Sequence, residues 1–92
     1  MLRFEWDADK ATHNWEKHGV TFEEAVTVFF DPLSLTIPDP LHSVMEDRLV
    51  TLGESHSGEL LVVVHTQREG AIRIISARAA TGKEHRDYEQ GN

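Results

Sequence analysis

Six side chains carry most of the reactive chemistry of this 92-residue sequence: Lys17 and His18, Glu46 and Arg48, Arg73 and Arg78. An imidazole gives or takes a proton near neutrality, a carboxylate takes one, and Lys or Arg holds an anion or a developing negative charge. Spacing limits how they can meet. Glu46 and Arg48 are two apart, so an extended strand puts them on one face as an ion pair or a small acid/cation site. Arg73 and Arg78 are five apart and point to opposite faces of a regular strand. They share a site only if a bulge intervenes or Arg78 lies past the strand end. Arg73 interrupts the apolar run AIRIISA and so asks for a partner; because Ile72 and Ile74 look inward, it should emerge on the less covered face.

Each residue also has a plainer reading. His18 recurs in register with Ala8, Ala11 and Trp15, which makes it a partly buried histidine at the negative end of a helix dipole. Lys17 fits as an ordinary cation of a last helical turn, and Glu46–Arg48 as a surface pair worth about 0–1 kcal/mol. Trp6, Trp15, Phe22, Phe29 and Phe30 read as core first and as a stacking platform second. GESHSG resembles a nucleophile elbow only superficially and fits a polar hairpin loop. The six histidines are scattered without H-E-x-x-H spacing, and neither a Walker A loop nor G-x-G-x-x-G occurs. No metal or other cofactor is expected.

The elements that must position these groups follow from periodicity and caps. A short strand over Arg3 to Trp6 precedes Asp7, an N-cap, and a helix that Gly19 stops in the left-handed conformation. Thr21 to Glu24 is a capping box that starts a second helix with the apolar face Phe22, Ala25, Val26, Phe29, ended by Asp31-Pro32. LSLTI alternates as a strand, and EDRLVTLGE follows the Pro38-Asp39-Pro40 turn region. LLVVVHT and AIRIISARA, apolar on both faces, are central strands joined by QREG. Thr81 to Glu84 is a second capping box opening a short C-terminal helix. The expectation is one α+β domain over residues 1–92, two N-terminal helices packed on an antiparallel sheet.

The chain has no cysteine, which excludes a disulfide framework or a thiolate metal site and points to a reducing, cytoplasmic setting. Its charged N-terminus does not read as a signal peptide, and no apolar run is long enough to span a membrane. The net charge of −7 argues against a free-standing nucleic-acid binder. Acid lies in the first two thirds, however, while Arg68, Arg73, Arg78 and Arg86 make the far end the plausible place for an anion.

FEWDADKATHNWEKHGVTFEEAVTVFFDP, EDRLVTLGE, LLVVVHTQR and RIISARAATGKEHRDYE together resemble the BrnT family of type II toxin-antitoxin toxins, in that family's order over nearly the whole chain. The resemblance implies a RelE-like fold and a ribonuclease that stops translation. It further implies neutralisation by a ribbon-helix-helix antitoxin, with DNA engaged only through that partner. A metal-free ribonuclease needs a base for the 2′-OH, cations for the charge on phosphorus and an acid for the departing 5′ oxygen. Arg48, Arg73 and Arg78 are assigned to phosphate, Glu46 or His18 to the base, and His18 or Lys17 to the acid or to electrostatic support. The alternative is a non-catalytic module acting as co-repressor with its antitoxin.

Overall fold

The computed structural model describes residues 2–40 and 47–91. Along them run β1 (Phe4–Glu5), α1 (Ala8–His18), α2 (Phe22–Thr27), a 3₁₀ turn (Val28–Phe30), β2 (Leu35–Pro38), β3 (Arg48–Glu54), β4 (Leu60–Arg68), β5 (Ala71–Ala79) and α3 (Gly82–Gln90). The strands form one sheet in the order β1-β5-β4-β3-β2. From β2 to β5 the pairing is antiparallel, but β1 runs parallel to β5, so the sheet is mixed rather than wholly antiparallel as expected. The helices carry the chain from β1 across to the far edge, and the meander back reverses direction at each turn. Its last strand therefore arrives beside β1 running the same way.

Asp7 caps α1 by accepting from the Asp9 and Lys10 amides, and Gly19 ends it at φ 68°. The helix does not bury the stripe expected of it. Trp15 is 56% exposed and His18 is exposed, so the reading of His18 as a partly buried histidine does not hold; the buried residue is Asn14. The reason is edge pairing. β1 covers only Ile72 and Arg73 of β5, and farther along the Ala77 amide and carbonyl face outward with no strand to receive them. Asn14 receives them instead: its Oδ1 accepts from the Ala77 N–H at 3.0 Å, and its Nδ2 donates to the Ala77 and Val20 carbonyls at 2.9 and 3.0 Å. A buried backbone pair is thus satisfied by a side chain, and α1 is fixed along the edge of the sheet.

Thr21 caps α2 through the Glu24 amide, but the reciprocal half of the expected capping box is replaced. The Glu24 carboxylate instead accepts from the Ser55 and Ser57 hydroxyls of the β3–β4 turn, which hold its pKa below the usual value. Phe22, Ala25 and Val28 pack with Val20, Leu61, Val63, Ile74 and Ala77 as the core on one face of the sheet, with Trp6 edge-on to Phe22. Phe30, expected in the core, is 66% exposed.

α3 has the full capping box, Thr81 with Glu84. Its Tyr88 hydroxyl donates to Asp31 at 2.6 Å, and Asp31 also accepts from the Glu54 amide, which ties the helix to the β2–β3 side. This bond to an anion pushes the Tyr88 pKa up to about 12.

Candidate functional site

The sheet's second face holds the charged residues, and a single irregularity puts them there. His65 pairs with Ile74 while Val64 pairs with Ser76, so Ile75 is an extra residue in β5. This bulge restores the phase of the strand, and Arg73 and Arg78, five apart, come out on the same face. Register then orders that face in rows. The first is Glu5, Arg73, Thr66 and Arg48, each directly across from the next. The second is Ser76, Val64, Val50 and Ile37, and the third Arg78, Val62, Leu52 and Leu35.

Around the first row, Lys10, Arg48, Arg68 and Arg73 line a depression of about 250 Å³ with Thr66 and Ile75. Beside it, Lys10, His13, Lys17 and His18 of α1 line another of about 210 Å³ together with Ile75 and Ser76. The helix contributes because Asn14 holds it at the sheet edge. A third depression, of about 260 Å³, lies over the second and third rows between Arg48 and Arg78. Six of the chain's nine Lys and Arg residues (Lys10, Lys17, Arg48, Arg68, Arg73 and Arg78) line these three adjoining hollows, so the acidic balance of the whole chain is locally reversed.

The cations are held differently. Arg73 donates to Glu5 at 2.9 Å through one nitrogen, and its charge also helps to lower the pKa of Asp7, whose main cause is acceptance from the Lys10 and Asp9 amides. Arg78 forms a two-pronged pair with Glu84 at 2.8 and 2.9 Å. That pair draws the Glu84 pKa down to about 2 and raises that of Arg78. Arg73 and Arg78 share a face but stand two rows apart, and Arg78 is occupied by a carboxylate.

The structure thus gathers Lys17, His18, Arg48, Arg73 and Arg78 around one groove, while Glu46 lies outside the described residues. The sequence reading passed over Lys10 and His13. Lys10, His13 and Lys17 recur at three and four, which puts them on one polar flank of a helix, a spacing visible in the sequence. Among the described residues no three His, Asp or Glu side chains converge as metal ligands. Chemically, the groove can hold a phosphodiester on its cations with imidazoles within the same cluster.

The sequence profile for ribonuclease toxin BrnT of type II toxin-antitoxin systems matches residues 6–84, which is 79 of the 92. The chain belongs to the BrnT family. Every candidate site residue lies inside that match. The chain also resembles the ribonuclease toxin BrnT of Brucella abortus, a crystal structure at 1.1 Å, with a TM-score of 0.70 and 24% identity, covering 88% of this chain and 99% of that one. At that identity the likeness bears on the fold, an α+β sheet with three helices. None of the curated proteins compared with this BrnT-family chain matches it. Membership of a type II toxin family implies an antitoxin protein as partner and RNA as substrate class. No helix among the described residues is long and apolar enough to cross a membrane.

Proposed function

We propose that this BrnT-family chain is a RelE-like, metal-independent endoribonuclease that stops translation by cutting RNA, and that a ribbon-helix-helix antitoxin neutralises it. The observation that carries the reading is the four-cation hollow of Lys10, Arg48, Arg68 and Arg73 on a chain of net charge −7. Such a cluster suits a phosphodiester whose negative charge grows in the transition state, because cations fixed in place stabilise that charge without reorganising.

In the proposed reaction a base takes the 2′-OH proton, the 2′ oxygen bonds to phosphorus, and the bond to the 5′ oxygen breaks as an acid protonates it. The products are a 2′,3′-cyclic phosphate and a 5′-hydroxyl. Arg48 and Arg73, joined by Lys10 and Arg68, hold the phosphate. Glu46 or His18 is the base, and His18 or Lys17 the acid or electrostatic support. Arg78 reaches a phosphate only where that phosphate replaces the Glu84 carboxylate. The acidic remainder of the surface suits a basic segment of the antitoxin, and DNA would be met only through that partner.

Purified protein incubated with RNA in EDTA tests this, beside Arg73→Ala, Lys10→Ala and Glu46→Ala variants whose folding is checked by circular dichroism. Cleavage by the wild type that falls at least tenfold in Arg73→Ala supports the enzyme. Equal cleavage by all four points to a contaminant. No cleavage with retained antitoxin binding favours the second reading, a non-catalytic co-repressor, which the acidic surface also suits.

A further inference from the structure

The cation row does not continue across the second face. One row on, at about 7 Å by the rise of two strand residues, the sheet presents Val64 and Val50 flanked by Ser76, and beyond them Val62. These valines floor the depression of about 260 Å³, with Arg48 on one side and Arg78 on the other. Its charges balance: Arg48 and Arg78 are matched by Asp39 and Glu84, and Arg78 is neutralised directly by the two-pronged Glu84 pair. The adjoining hollow is lined by four cations, Lys10, Arg48, Arg68 and Arg73, and by no carboxylate among the described residues; Glu5 pairs with Arg73 from the side, so positive charge remains in excess. One hollow therefore suits an anion and the next a flat, neutral, mostly apolar group. The two are separated by about the span from a nucleotide's phosphorus to its base.

We propose that the valine-floored depression is a nucleobase subsite, in which the base of the nucleotide held by the cation hollow lies on Val50 and Val64. This rests on the ribonuclease reading and adds where the substrate's base goes. Unpaired RNA bases are splayed out and packed against aromatic, apolar or guanidinium surfaces, and here the Arg78 guanidinium and the valine floor supply the last two. Glu84 is a positioning residue. By fixing both terminal nitrogens of Arg78 it holds that guanidinium as a wall and keeps it from drawing in a second phosphate. Ser76 also lines the depression and offers a hydroxyl to the edge of a base.

The test uses nucleoside 5′-monophosphates and ribose 5-phosphate as uncleavable probes, titrated into the full chain and followed by NMR. The expected result is that at least one of the four nucleotides binds about tenfold more tightly than ribose 5-phosphate, with shifts at Val50, Val62, Val64 and Ser76. In the isosteric double variant Val50→Thr/Val64→Thr that advantage should fall to threefold or less while ribose 5-phosphate binds as before. Lys10→Ala should weaken both probes alike. Equal affinity of every nucleotide and ribose 5-phosphate, or shifts confined to the cation hollow, overturns the subsite. Failure of both probes to bind overturns the cation hollow and the subsite with it. Tight nucleotide binding by a protein that cuts no RNA would sink the ribonuclease reading and keep the subsite, so the two failures are distinguishable.

Discussion

Asn14 does for β5 what β1 is too short to do, and the cost of removing it should show this. In Asn14→Leu the Ala77 amide and carbonyl would be left buried without partners, so we expect a loss of about 2–4 kcal/mol in urea unfolding. A value within error of wild type would mean that water or a backbone shift replaces the bond. His65 is the second residue whose setting has a measurable consequence. It is 4% exposed, its Nε2 is 2.7 Å from the Thr51 hydroxyl, and its Nδ1 is buried without a partner among the described residues. Burial lowers its pKa from 6.5 to about 4. The unfolded chain therefore binds a proton that the folded chain refuses. Stability on this account is full above pH 6.5 and falls as pH drops toward 4, by on the order of 3 kcal/mol across the window. In His65→Gln the slope of unfolding free energy between pH 6.5 and 4.5 should flatten; an unchanged slope would clear His65 of the effect. Glu84 acts lower, between 4.5 and about 2, because its folded pKa is depressed by Arg78.

At the scale of elements, the bulge at Ile75 and the close pass of β3 under the 3₁₀ turn determine the geometry of the two faces. Gly53 sits where a Cβ would come within 3.1 Å of the Val28 carbonyl and the Ser34 Cβ, and 3.2 Å from the Val28 Cβ. Gly53→Ala should lower stability by about 1–3 kcal/mol, read as a lower melting temperature, since backbone lies in the way. An unchanged melting temperature would show that the turn yields. Asp7, Gly19 and Thr81 with Glu84 were legible in sequence because caps are local, set by hydrogen bonds within three or four residues. The Thr21 box was read as reciprocal and is not, because Ser55 and Ser57, far along the chain, offer Glu24 better-placed donors.

For the whole molecule the governing fact is segregation of charge. Six cations line one groove of an acidic protein, so RNA affinity should be steeply salt-dependent despite the net charge. With a 2′-O-methyl RNA that cannot be cut, the slope of log affinity against log salt should become shallower by about 0.7 in Arg68→Ala and again in Lys10→Ala. A slope unmoved by both would mean that phosphate binds elsewhere.

By itself the sequence determined the family, most of the helix caps, the central strands and the candidate cations Arg48, Arg73 and Arg78, since each is written in a local pattern or a short motif. The choice open for Arg73 and Arg78 could not be made there, because which residue bulges depends on how β4 and β5 pair. Nor could the sequence tell that an asparagine, not Trp15 or His18, would be buried, because that followed from an edge left open by a strand of two residues. Lys10 and His13 joined the site for the same reason: only the docking of α1 at that edge turned their flank of the helix toward the arginines.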